Sequence, residues 1–181
     1  MTRVVLALLA LSCLAGCLPF VQGVPERLSP RYLGSEASRV DWACSQPHES
    51  IWISGPETLG LRITPMYRPL QGLTVLRIRL VHTGTRQAVG IPAQRLLLER
   101  VPGGATRTLF LPGGTARALT MTDPNRDPVH ELDLELRIEE TPAEGMRLQL
   151  PVVRAGDLLW QPRQLELRRI SPVARLMPFN C

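Results

Sequence analysis

The sequence predicts an all-β protein built as an antiparallel β-sandwich. Apolar and polar residues alternate in short runs, and this period of two is typical of strands buried on one face. Between the runs, 17 prolines and 14 glycines supply residues suited to turns. With 181 residues, of which 44% are hydrophobic, the chain can bury the core of one domain.

Eight alternating segments define the predicted strands: 51–53, 59–63, 73–81, 94–100, 107–111, 131–139, 146–152 and 165–167. Segment 92–99 also fits a short helix, and Pro102-Gly103-Gly104 is typical of a hairpin turn. Strands at this spacing favour an immunoglobulin-like sandwich, with a lipocalin-like β-barrel as the alternative.

Composition excludes two classes of protein. The charged fraction of 20% is too low, beside that apolar content, for a disordered chain, and a mean hydropathy of +0.02 excludes a polytopic membrane protein. All 21 cationic residues are arginine and the acids number 16, which gives a net charge of +5. The excess is spread along the chain, so nucleic acid is not an expected partner.

The N-terminus has the pattern of a secretory signal. Arg3 precedes an apolar run at 4–11 that is too short to span a bilayer. The sequence Leu14-Ala15-Gly16-Cys17 that follows resembles the lipobox of bacterial lipoprotein precursors. This resemblance implies a signal peptide over 1–16, cleavage before Cys17 and acylation of its thiol. Leu18, where an Asp would mark inner-membrane retention, implies a periplasm-facing anchor in the outer membrane. The alternative is an ordinary signal peptide cut after Ser12.

Residues 17–38 contain three prolines and no periodicity, so we expect a membrane tether there and the sandwich domain over 39–181. Once the signal peptide and the lipidated residue are set aside, Cys44 and Cys181 remain. An even number of cysteines in an oxidising compartment predicts a disulfide between them. Cys44 and His48 also have a metal-ligand spacing, but the chain contains no second cluster of this kind.

Charge is concentrated in segment 123–144, which holds eight acids and two arginines, a local net charge of −6. One interpretation is that its acidic strand face pairs with an arginine-bearing strand such as 73–81 or 163–169. The other is a polarised surface that recognises a charged partner. The first is the favoured interpretation.

Patterns for catalysis and metal binding are incomplete. The chain has no G-x-S-x-G or H-E-x-x-H motif, and the carboxylates of Glu131, Asp133 and Glu135 fit a solvated strand face. Segment 123–127 opens like a calcium loop, but Pro128 and Leu134 occupy the places of the required glycine and glutamate. We expect no enzyme, no cofactor and no metal site.

The favoured function is therefore a non-enzymatic lipoprotein that binds another envelope protein, as an assembly factor or as an inhibitor or immunity-type lipoprotein. The alternative is a carrier of a lipid or glycan, which would require an internal cavity. The long segment 112–129 is the first candidate surface, with Arg117 and Arg126 as possible contacts. Trp160, in a second Gly-containing segment, is a further candidate anchor.

Overall fold

The computed structural model describes residues 20–24, 26–42, 48–84, 88–119, 127–139 and 144–177. These residues form seventeen strands, in chain order: β1 (Phe20–Val24), β2 (Arg27–Tyr32), β3 (Ser38–Trp42), β4 (Glu49–Ser54), β5 (Leu59–Arg68), β6 (Leu73–Thr83), β7 (Val89–Ile91), β8 (Gln94–Val101), β9 (Thr106–Leu111), β10 (Gly114–Thr115), β11 (Arg117–Ala118), β12 (Val129–Ile138), β13 (Gly145–Gln149), β14 (Val153–Ala155), β15 (Leu158–Trp160), β16 (Gln164–Ile170) and β17 (Val173–Met177). A single 3-10 turn, Pro69–Gln71, joins β5 to β6. No helix among the described residues is long and apolar enough to cross a membrane.

Antiparallel sheets form two facing layers. The first layer is a six-stranded sheet with the order β11-β12-β6-β5-β4-β3. The second contains a five-stranded sheet, β2-β16-β13-β8-β9, and a four-stranded sheet, β15-β14-β7-β10. The two layers are in contact where the edge strand β2 packs against β4 and β5 and where the edge strand β9 approaches β12.

The four-stranded sheet continues the five-stranded sheet beyond a bend. Gln149 pairs with Gln164 and Val153 with Trp160, so the hairpin resumes in the same register after the interruption. Strands β8 and β9 continue as β7 and β10 in the same way. Each of the four strands has a proline at the interruption, namely Pro92, Pro112, Pro151 and Pro162. Because proline lacks the amide N–H that a ladder needs, these residues place the bend at a common line across the sheet.

At the bend, a polar side chain takes the place of a missing backbone hydrogen-bond partner. The Gln94 amide nitrogen donates to the carbonyl oxygen of Val152 at 3.2 Å, and the Val152 N–H donates to the Gln94 side-chain oxygen at 3.0 Å. Gln94 thus replaces a backbone pair that the bend would leave unmade, which keeps buried polar groups satisfied.

The core lies between the layers and follows the period-two alternation. Inward side chains of both layers are at most 1% exposed: Leu61, Ile63, Leu76, Ile78 and Leu80 from the first, and Leu96, Leu111, Leu148, Leu165 and Leu167 from the second. The described sheets have free edges and none closes on itself, so the lipocalin-like alternative does not fit. The prediction of an all-β, sandwich-like fold is confirmed.

Several boundaries differ from the sequence-based expectation. The expected tether over 17–38 already contains β1 and β2, with Leu28 and Tyr32 in the core, so the folded part begins well before Arg39. Strand β1 pairs with β17, and β2 is an edge strand, where the absent N–H of Pro30 is tolerated. Segment 92–99, which also fits a helix, forms most of β8 instead.

One buried ion pair joins the layers at the edge that β2 occupies. Arg27, 1% exposed, donates from Nε to Glu49 Oε1 at 2.9 Å, and Ser29 donates to the other carboxylate oxygen. Removing either partner would leave a charge in the interior, which is strongly destabilising. The pair therefore fixes how β2 meets β4.

Candidate functional site

Four of the predicted site residues lie outside the described part of the chain: Cys17, Cys44, Cys181 and Arg126. Arg117 is exposed on β11, where the register places it opposite Glu131 of β12. Arg117 is thus on the edge of the six-stranded sheet, next to an acidic residue.

Trp160 is buried, with 5% of its surface exposed, and belongs to the core. Its ring covers Gly55, where a Cβ would approach the ring to 2.7 Å. A surface anchor requires an exposed ring, so the structure corrects the candidate role of Trp160: it packs the bent end of the second layer against the β4–β5 turn.

The long segment 112–129 is partly built into the sheets. Gly114–Thr115 pairs with β7 in the second layer, and Arg117–Ala118 pairs with β12 in the first. The Ala116 N–H donates to the Val89 carbonyl at 2.7 Å between these two pairings. The described part of this segment therefore connects the two layers, and its removal would cost stability. Residues 112–119 are therefore part of the sheet framework rather than a free surface loop.

The acidic face of β12 pairs with the arginines of β6. Arg79 donates to both oxygens of Asp133, at 2.9 and 3.1 Å, and Arg77 donates to Glu135 at 3.4 Å. The hydrogen bonds to Asp133 raise the pKa of the Arg79 guanidinium above its ordinary value. The favoured interpretation of the charge pattern, cross-strand pairing with segment 73–81, is confirmed.

Two histidines that are far apart in the sequence lie opposite each other on paired strands. His82 on β6 and His130 on β12 have ring centroids 5.9 Å apart, and His82 Nδ1 lies 3.3 Å from the Thr58 hydroxyl. His82 is buried, with 2% of its surface exposed. Only the strand register could have shown this pair. Among the described residues no three His, Cys, Asp or Glu side chains are placed to hold a metal ion.

Tyr32 and Glu36 form a hydrogen-bonded pair in which both pKa values are shifted. Tyr32 donates to Glu36 Oε2 at 2.6 Å and accepts the N–H of Arg163 at 3.1 Å. Burial, followed by the hydrogen bond to Glu36, raises the pKa of Tyr32 to about 12. The same hydrogen bond lowers the pKa of Glu36 below its ordinary value. The pair ties β2 to the segment before β16 and is structural in its placement.

Strand β9 forms a free edge of the five-stranded sheet in the described structure, since it pairs with β8 alone. On its outward face Phe110 is 65% exposed, and Leu97 of β8, diagonal to it, is 43% exposed. In the described part of the chain, the other exposed large hydrophobic residues are Val40, Leu70, Leu119 and Leu159. Arg107 is the one charged residue of β9. An unpaired edge beside an exposed aromatic ring invites pairing with another chain. The sequence does not single out Phe110, and only the sheet order shows that β9 is an edge.

A lipid or glycan carrier would need an enclosed cavity. Two grooves of about 520 Å³ open to solvent at the bend of the second layer. One is lined by Pro92, Gly113 and Arg154 among others, and the other by Pro162, Gln149 and Arg163 among others. Both are surface depressions rather than internal cavities.

Comparison of the chain with protein-family models, curated proteins and solved structures finds no match.

Proposed function

We propose that the chain is a non-enzymatic lipoprotein of the bacterial outer membrane, facing the periplasm, whose sandwich binds another envelope protein. The role would be that of an assembly factor or of an inhibitor or immunity-type lipoprotein. The lipobox-like sequence ending at Cys17 supports the anchor. Strand β1 begins at Phe20, and three residues span about 10 Å at most. An acylated Cys17 would thus hold the start of the fold close to the bilayer.

We also propose that Cys44 and Cys181 form a disulfide and that the sandwich has an immunoglobulin-like topology. A bridge that closes so long a loop would raise the free energy of unfolding by at most on the order of 5 kcal/mol. Peptide mapping of non-reduced protein is expected to give one peptide containing both cysteines. Free thiols at both positions in periplasmic material would contradict the bridge.

The observation that carries the binding role is the free edge of β9. The Arg100 N–H donates to the Ala105 carbonyl at 2.9 Å, which fixes the alternation along the β8–β9 ladder. The backbone N–H groups of Thr106, Thr108 and Phe110 therefore face away from β8. A partner's extended segment could accept and donate hydrogen bonds along this edge, which is the mode of recognition called β-augmentation.

Side chains beside the edge would supply specificity. Phe110 and Leu97 lie on the outward sheet face that an added strand would extend, and Arg95 lies opposite Phe110. Aromatic and arginine side chains are the commonest energetic anchors of protein interfaces. We therefore propose a partner segment with an apolar residue placed to cover Phe110.

The test is photo-crosslinking in cells from a benzoylphenylalanine placed at position 110. A discrete crosslinked product is expected, and Thr108→Pro should remove it, because that substitution deletes a free-edge N–H without breaking the β8–β9 ladder. The control is Val40→Pro on β3, whose N–H also faces away from its sheet, since the Ser54 N–H donates to the Ala37 carbonyl.

Retention of the product in Val40→Pro and its loss in Thr108→Pro would support the proposal. A product that survives Thr108→Pro, or the absence of any product, would overturn the β9 edge as the binding site. Circular dichroism of both variants checks that the sandwich is intact.

A further inference from the structure

The outward face of the six-stranded sheet carries a cluster of arginines around two hydroxyl groups. The register places Arg62 of β5 beside Arg79 of β6, and Thr64 beside Arg77. These side chains face outward because Leu61, Ile63, Ile78 and Leu80, which alternate with them, are fully buried.

A depression of about 210 Å³ lies among these residues, lined by Ser50, Arg62, Thr64, Arg77 and Arg79. Its lining contains three guanidinium groups and two hydroxyls but no carboxylate. Ser50 forms the floor: it is 2% exposed, and its Oγ lies 2.9 Å from Thr64 Oγ1. One of these hydroxyls donates to the other, so one proton of the pair remains to point into the depression.

The three arginines differ in how far their charge is neutralised. Arg79 is paired with Asp133 and lies 3.7 Å from Glu131, and Arg77 is paired with Glu135. In the described part of the chain, Arg62 has no carboxylate within the 4.0 Å of an ion pair. Each guanidinium has five N–H donors, so Arg77 and Arg79 also keep donors that their carboxylate partners do not occupy.

We infer that this depression binds a phosphate group. A tetrahedral oxyanion accepts hydrogen bonds from several directions, and guanidinium groups are the side chains best matched to it. The uncompensated charge of Arg62 supplies the attraction, while the hydroxyl pair and the free donors of Arg77 and Arg79 supply further hydrogen bonds. The site lies on the first layer, on a different sheet from the β9 edge, so it is independent of the proposed protein interface.

The source of the phosphate is either a small phosphorylated molecule or a lipid headgroup, and the test separates them. The full chain, purified in a zwitterionic detergent, is titrated by calorimetry with inorganic phosphate in one arm. In the other arm it is titrated with mixed micelles that contain phosphatidylglycerol. Arg62→Gln is expected to weaken binding about tenfold or more, since a charge-assisted hydrogen bond is lost.

Arg95→Gln is the matched control, because it removes the same charge from an exposed position on the opposite sheet. Arg62-dependent binding of inorganic phosphate alone assigns a small phosphorylated molecule, and tighter Arg62-dependent binding of the phosphatidylglycerol micelles assigns a lipid headgroup. Ser50→Ala should weaken binding of the same titrant as Arg62→Gln. This second variant guards against the case in which Arg62→Gln weakens binding only because it disturbs the fold. The inference is overturned if neither arm shows binding, or if Arg95→Gln weakens it as much as Arg62→Gln.

Discussion

Arg79 and Asp133 face each other across β6 and β12, with Nε 2.9 Å from Oδ1 and Nη2 3.1 Å from Oδ2. Their side chains are 38% and 47% exposed, so water screens the attraction. We expect a double-mutant cycle of Arg79→Gln and Asp133→Asn to give a coupling of at most about 1 kcal/mol. Urea unfolding at low and high salt measures it. A coupling of several kcal/mol that salt leaves unchanged would contradict this account of the charged face.

The alternation along β12 predicts that substitutions at neighbouring positions change the free energy of unfolding by very different amounts. Leu136 is 3% exposed, whereas Glu135 beside it points outward and is exposed. Leu136→Ala is expected to lower the free energy of unfolding by about 2–5 kcal/mol because it leaves a cavity. Glu135→Ala should change it by about 0.5 kcal/mol or less. Similar losses in the two variants would show that β12 does not bury alternate residues.

The raised pKa of Tyr32 predicts that the protein loses stability at alkaline pH. Its pKa is raised to about 12 in the folded chain, against an ordinary value of 10.0. The stabilisation by the neutral hydroxyl is therefore complete below about pH 10 and is lost as the pH rises towards 12. Ultraviolet titration of tyrosinate in a Tyr67→Phe variant follows Tyr32 alone. Its midpoint should lie near 12, and a midpoint near 10 would mean that the hydroxyl is neither buried nor hydrogen-bonded to Glu36.

The contribution of the Tyr32 hydroxyl to stability can also be measured from the pH dependence of the free energy of unfolding. Between pH 10 and 12 the free energy of unfolding of the wild type should fall more steeply than that of Tyr32→Phe. Tyr67→Phe is the control for loss of a hydroxyl from a buried tyrosine. Equal slopes in the wild type and in Tyr32→Phe would contradict the linkage.

Alternation predicted the strands whose polar and apolar residues follow a strict period of two. Strands β6 and β12 are the clearest examples, and the opposite charges on their outward faces also indicated that they pair. Here local sequence and sheet position agree, because each strand is buried on one face only.

Strand β2, which lies in the expected tether, was not predicted. Strand β2 carries Pro30 yet contributes Leu28 and Tyr32 to the core, since an edge strand does not need every N–H. In the second layer, Pro92, Pro112, Pro151 and Pro162 mark one bend across four strands, and nothing in the sequence indicated that they act together. Their shared position becomes visible only once the strand register is known.

The candidate sites depend on relations between strands that sequence does not contain. The sequence does not distinguish Phe110 from its apolar neighbours Leu109 and Leu111, and only the sheet order shows that β9 is a free edge. The cluster of Ser50, Arg62, Thr64, Arg77 and Arg79 comes from three strands. Each residue alone fits a solvated strand face, and their convergence requires the register of β4, β5 and β6.

The most direct test of the lipoprotein proposal is mass spectrometry of the N-terminal peptide of the mature protein purified from membranes. We predict that the peptide begins at Cys17 and carries acyl chains on that residue. Cys17→Ala should abolish this processing and release the domain from the outer-membrane fraction or leave an uncleaved precursor. A mature N-terminus at another residue, with an unmodified Cys17 thiol, would contradict the account.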